Sequence, residues 1–191
     1  MKAITRKREI LITASKLFRE KGYSAVTMRD LAGDMGIKAA SLYNHIDSKQ
    51  QILIEIVMPI AQTFVADISG IAMSEKDAIG QLEQIIAQHV RLTVKHPNHM
   101  AAVNNDWMHL GKELEDYLRL RDQYEQIFRQ ILNRGIKEGI LKIPDVEVML
   151  FSFLSTLRNL YLWILKKSTQ NEEELIFALS EILLKGIIRC K

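Results

Sequence analysis

The chain has 191 residues, of which 48% are hydrophobic and 26% charged, enough apolar material for a packed core and too much for a disordered chain. Nine Gly and three Pro disfavour all-β and low-complexity architectures, and the single cysteine, Cys190, excludes an intramolecular disulfide or a cysteine-built zinc site. The net charge of +3 conceals an asymmetry: residues 1–50 hold ten Lys/Arg against five Asp/Glu, residues 51–191 sixteen against eighteen. A basic first quarter on a nearly neutral body suggests a small module that meets a polyanion, with a chance imbalance as the alternative.

The periodicity is helical almost throughout. Over 5–21, Ile10, Ala14, Leu17 and Phe18 share one face, and Gly22 follows where a helix favours positive φ. Thr27 to Asp30 reads as a capping box opening a short helix with Leu31, Ala32 and Met35 inward, and Gly36 stops it. Residues 38–46 form one more short helix. Ser48 to Gln51 is a second box at the start of a helix over about 48–69, which Pro59 should kink. Further helices are expected over 75–95, 99–110, 112–138, 145–167 and 172–189, broken at Pro97, Gly111, Gly139 with Pro144, and the run from Ser168 to Asn171. No strand, repeat or flexible linker is expected. The fold class is therefore all-α: a helix-turn-helix module over 1–47, continuous through the 48–69 helix with a larger helical domain over 48–191.

The longest apolar stretch, Val148 to Leu165, has the length of a membrane span, but Arg158 in its middle would cost roughly 2.5–3.5 kcal/mol there. A buried soluble helix is the better reading, and no membrane partner is expected. The N-terminus has charge but no signal-peptide pattern, so the expected location is cytoplasmic.

The helix–Gly–helix unit over 27–46 closes a small core with Leu31, Ala32, Met35, Ile37, Leu42 and Ile46. Such a unit can present its second helix to a major groove about 12 Å wide. The exposed face would carry Lys38, Ala39, Ser41, Tyr43, Asn44 and His45. Ser and Asn suit base edges, Lys and Tyr suit phosphates, and small residues allow close approach. Periodicity alone is a weak signal, since many helical bundles contain such a turn.

The residues in order add to it. Phe18-Arg19-Glu20-Lys21-Gly22-Tyr23, Thr27, Met28-Arg29-Asp30-Leu31-Ala32, Gly36-Ile37, Ser41-Leu42-Tyr43-Asn44-His45, Ser48-Lys49 and Leu53 together resemble the DNA-binding module of TetR-family transcriptional regulators. The match covers about residues 5–55. The remainder is similar only in size and helical layout. The resemblance implies a homodimer that binds a palindromic double-stranded DNA operator, usually represses, and lets go when a small molecule enters the C-terminal domain. It places Tyr43 and Lys49 on phosphates, Thr27 at the cap of a helix facing another, and Ala39, Ala40, Ser41, Asn44 and His45 over bases. Three positions depart from the family pattern: Lys38 stands where a small hydroxyl usually caps the recognition helix, Ala40 where Gly is frequent, and Ile46 where Phe is usual. Tyr43 as a core aromatic, Lys49 as a surface lysine and His45 as a packing residue are the bland alternatives, and Arg6, Lys7 and Arg8 form a basic tip suited to tracking phosphates as a flexible arm.

His89, His96, His99 and His109 lack the i, i+4 spacing of a helical zinc site, so no metal is expected, nor any cofactor. No nucleophile–base–acid set, phosphate-cradling Gly loop or His-Glu-x-x-His is present, which argues against an enzyme. The helices over 146–165 and 175–188 carry more apolar residues than one bundle can hide. The expectation is a homodimer through about residues 146–188, packed as four helices from two copies of the pair. Met100, Trp107, Met108, Tyr124 and Phe128, with the polar His89, Asn104 and Asn159, are candidates to line a cavity for an apolar or amphipathic effector, although such residues are often plain core. The leading function is a ligand-responsive DNA-binding regulator. The alternative is a helical binding module whose N-terminal part no longer reads DNA, which a gel shift on the upstream region would discriminate.

Overall fold

The computed structural model describes residues 5–142, 145–166 and 171–188. The breaks expected at Pro144 and Ser168 to Gln170, and the lone Cys190, lie outside the described residues. Among the described residues the regular structure is helical: α1 (Arg6–Lys21), α2 (Met28–Asp34), α3 (Ala39–Tyr43), α4 (Lys49–Ala72), α5 (Ala78–Lys95), α6 (Pro97–Asn105), α7 (Leu114–Lys137), α8 (Val146–Arg158), α9 (Leu160–Ile164) and α10 (Glu172–Lys185). Two 3₁₀ turns, Trp107–His109 and Gly111–Glu113, join α6 to α7, and an isolated bridge pairs Leu141 with Ile188.

Local chemistry sets the boundaries. The Thr5 hydroxyl accepts from the Arg8 N–H to start α1, and Gly22, at φ 82°, ends it by donating its N–H to the Phe18 carbonyl at 2.8 Å. Thr27 and Asp30 form a complete capping box around the start of α2. The box expected at Ser48 is only half made. Ser48 Oγ accepts from the Gln51 N–H at 3.0 Å, but the Gln51 side chain turns to Glu55 instead of reaching back. The break expected at Pro97 is present: α5 ends at Lys95, and Pro97 opens α6, as a residue without an N–H can in a first turn. The helix expected over 145–167 is divided at Asn159, where φ −91° and ψ 1° leave the α-helical basin.

The chain forms two compact units, Met1–Ala61 with Asn98–Leu118 and Gln62–Pro97 with Arg119–Lys191. In the first, α1, α2 and α3 close over Ile10, Ala14, Leu17, Phe18, Leu31, Leu42 and Ile46, while Met35 and Ile37 are only half-buried. In the second, α5 packs on α8, α9 and α10 around Leu82, Ile85, Ile86, Val90, Phe128, Leu132, Phe153 and Leu157. α4 runs unbroken through the exposed Pro59 and contributes residues to both units. Among the described residues it, and not the stretch from Val148 to Leu165, is the helix long and apolar enough to cross a membrane by length and composition. More than half of its most apolar stretch is buried, as in a core helix.

Candidate nucleic-acid interface and effector site

The first unit displays a compact polar face. Leu42 is fully buried and anchors α3, which leaves Lys38, Ala40, Tyr43, Asn44 and His45 exposed and Ala39 and Ser41 half-buried. Tyr43 is 54% exposed, which removes its reading as a core aromatic. α3 is shorter than the helix expected over 38–46. Lys38 makes no side-chain cap, and beyond Tyr43 the chain continues as a tight turn in which the His45 and Ile46 N–H groups both donate to the Leu42 carbonyl. Gly36, at φ 66°, makes the turn between α2 and α3.

Thr27 lies at the exposed start of α2. Its N–H and hydroxyl donate to the Asp30 carboxylate at 2.8 and 2.6 Å, and these bonds hold that carboxyl below the usual aspartate range. Arg29 and Lys38 are exposed and make no ion pair among the described residues. The basic tip is not a free arm. Arg6, Lys7 and Arg8 form the first turn of α1, where Arg6 pairs with Glu9 and Lys7 with Glu55, each at 2.7 Å.

Lys49 differs most from its expected place. Its ammonium donates to the carbonyls of Tyr23, Ser24 and Val26 at 2.8, 3.3 and 2.8 Å and lies 4.4 Å from the centre of the Tyr23 ring. A lysine has three N–H donors, and all three are engaged within the fold.

The candidate effector residues fall into two groups. Met100, Asn104, Trp107 and Met108 belong to the first unit, and His89, Tyr124, Phe128 and Asn159 to the second. Met100 is buried core, Asn104 donates to the Met100 carbonyl, Trp107 stacks on Tyr117, and Met108 is exposed. His89, Tyr124 and Phe128 do come together. His89 Nε2 and the Tyr124 hydroxyl are 2.8 Å apart, Phe64 lies 4.5 Å from the His89 ring, and Phe128 meets Tyr124 edge-on. Burial, reinforced by the charge of Arg158, drives His89 down to about 3, so the imidazole is neutral. Burial also pushes the Tyr124 hydroxyl up. His89 Nδ1 is buried without a partner, an orphan polar atom in apolar surroundings.

Beside this cluster Phe64, Ile68, Ile71, Ile85, Gln88 and Tyr124 pack so closely that no space for a water-sized molecule is left among them. Elsewhere in the same unit Asn159 lines a cavity of about 410 Å³ with Arg121, Glu125, Arg129, Glu147, Phe151 and Arg158. Burial raises the Glu125 carboxyl, but the hydrogen bond and charge of Arg158, 2.7 Å away, with help from Arg121, outweigh it and hold Glu125 below its ordinary value. Arg158 was not among the expected site residues. The signal for it was a charge set midway along the most apolar stretch of the sequence. Among the described residues no group of three His, Cys, Asp or Glu is placed to hold a metal ion.

Comparison with known proteins gives these geometries a context. Residues 10–56 match the model for bacterial regulatory proteins of the tetR family, and residues 75–187 the tetracyclin repressor-like C-terminal domain. The HTH-type transcriptional repressor KstR2 of Rhodococcus jostii is 30% identical over 152 residues, which cover 78% of this chain and 74% of that protein. The structure of the ketosteroid transcriptional regulator KstR2 of Mycobacterium tuberculosis superposes with a TM-score of 0.90 at 22% identity, covering 99% of this chain and 98% of that one. AibR, solved in complex with isovaleryl coenzyme A and operator DNA, superposes with a TM-score of 0.77 at 20% identity over 93% of this chain and 97% of that one. The chain belongs to the TetR family of DNA-binding transcriptional regulators.

Proposed function

We propose that the protein is a cytoplasmic, non-enzymatic repressor that binds a pseudo-palindromic operator as a homodimer and releases it when an apolar or amphipathic small molecule enters its second unit. The observation that carries the DNA-reading part is the α3 face. Exposed Lys38, Ala40, Tyr43, Asn44 and His45 surround one buried anchor, Leu42, so small and polar groups project where a groove can meet them. Tyr43, Lys38 and Thr27 are assigned to phosphates, and Ala39, Ala40, Ser41, Asn44 and His45 to bases. Functionally, residues 1–47 read DNA and 48–191 hold the effector and the partner protomer.

The dimer reading rests on apolar residues left in solvent on α8, α9 and α10. Phe151 is 71% exposed, Phe177 69% and Ile182 72%, with Val148 and Leu162 also exposed. Leu183 is half-buried against the unit's own core, so Ile182 and Phe177 are the seam residues of α10. The effector reading rests on His89, Tyr124 and Phe128. An orphan ring nitrogen in an apolar cluster suits a ligand that brings one hydrogen-bonding oxygen on a hydrocarbon body. A structural neighbour named a ketosteroid regulator fits that class, and one solved with isovaleryl coenzyme A extends it to amphipathic thioesters.

Enrichment of duplexes from a random pool tests the DNA reading, with a palindrome of half-sites about 34–36 Å apart as the expected product. Ile182→Arg places an unpaired charge in the seam. We expect monomers by sedimentation and the loss of operator binding, whereas a dimer of normal affinity refutes this seam. Acyl-CoA thioesters and polycyclic ketones, titrated against the enriched duplex, should weaken binding 5–150-fold, the usual span of allosteric coupling of roughly 1–3 kcal/mol. A compound that raises the melting temperature but leaves operator affinity unchanged refutes the switch.

A further inference from the structure

We infer that Lys49 and His109 are positioning residues for DNA reading: together they clasp Tyr23 and the turn from which α2 starts, and neither touches the duplex. The inference rests on the family's DNA-binding role and adds a device to it.

The turn joining α1 to α2 is buried at Tyr23 and Val26, so its carbonyls need partners from within the protein. Lys49 supplies them with all three of its N–H donors, at Tyr23, Ser24 and Val26. A phosphate recruited by Lys49 would have to take a donor from one of these carbonyls. The ammonium also faces the Tyr23 ring, which favours a cation.

The second half of the clasp comes from a distant part of the sequence in the same unit. The His109 ring stacks on Tyr23 with centroids 4.8 Å apart and planes 22° apart, and its Nε2 is 3.5 Å from Ser24 Oγ. The half-buried Asp106 carboxylate faces the Tyr23 N–H, and the Gln50 side chain, next to Lys49, donates to the His109 carbonyl at 3.1 Å. Gly111 permits this closeness, because a Cβ there would run into the Gln50 amide. Residues 106–111 and the first turn of α4 thus grip the same short turn. That turn ends at Thr27, the cap that sets where α2 begins, and α2 in turn packs against α3.

The two roles of Lys49 differ in how affinity depends on salt. A phosphate contact contributes about 0.9 to the slope of log affinity against log salt, and a positioning contact contributes nothing. The test uses full-length protein and a duplex enriched from a random pool by the wild type. Lys49→Met and His109→Ala should each weaken binding about tenfold at every salt concentration and leave the slope unchanged. His109→Phe, which keeps a stacking ring, should restore binding, and amide exchange over 23–26 should quicken in His109→Ala alone of the two His109 variants. A slope flattened by about 0.9 per half-site in Lys49→Met overturns the inference. So does wild-type affinity in His109→Ala, or a loss in His109→Phe equal to that in His109→Ala. If Lys49→Met does not fold, the two His109 variants decide. A wild type that enriches no duplex overturns the DNA-binding role itself and the clasp with it.

Discussion

The two units are stabilised by different means. The first is assembled from helices as short as α3 and placed largely by polar geometry: a capping box at Thr27, a lysine spent on three carbonyls, a histidine stacked on a tyrosine. The second, α9 apart, is built from longer helices around a wide apolar core that contains the buried His89–Tyr124 pair, and it leaves Phe151, Phe177 and Ile182 in solvent. A short helix cannot bury enough surface to hold itself in place, so directional bonds must fix it. Long amphipathic helices gain from area alone and tolerate looser polar geometry.

Three substitutions or conditions sharpen that contrast. The largest effect is expected from Phe128→Ala, which removes a fully buried ring that meets Tyr124 and Phe153 edge-on. It should cost about 3–5 kcal/mol in chemical denaturation, with the loss falling on the second unit. A cost below about 1 kcal/mol would mean that this core collapses around the gap.

The next is acid sensitivity. The unfolded chain takes up a proton on His89 below its ordinary value of 6.5, while the folded protein refuses it until about 3. Stability contributed by the neutral ring is therefore present above pH 6.5 and is lost progressively as pH falls towards 3. His89→Phe should remove that slope from denaturation midpoints measured across the window, and an unchanged slope would place the acid sensitivity elsewhere.

The smallest is Thr27→Ala, which removes the α2 cap and should cost about 1 kcal/mol. Because the first unit depends on geometry, operator affinity should fall further than this stability change alone predicts. A purely global loss, with affinity intact at low temperature, would blunt the contrast.

How much of this was legible in the sequence varies with the range of the interaction involved. Gly22, the Thr27 box and the helical spacing of Ile10, Ala14, Leu17 and Phe18 were readable because caps and periodicity act within a few residues. The family was readable from its ordered set between Phe18 and Leu53. The candidate effector set was only partly legible. Met100, Trp107 and Tyr124 look alike as apolar residues at helical spacing, yet they belong to different units, and Met108 is exposed.

The sequence by itself determined the helical class, where many of the helices start, and which short segment resembles a DNA-reading module, since propensity, caps and hydrophobic period are local properties. Only the tertiary structure decided what the polar side chains are used for. Lys49 meets the carbonyls of residues more than twenty positions away, His109 meets Tyr23 across 86 residues, and His89 is neutral because burial in the core, reinforced by the charge of Arg158, disfavours its protonated form. A side chain's charge is written in the sequence, but its partners and its dielectric surroundings are set by which helices pack against it.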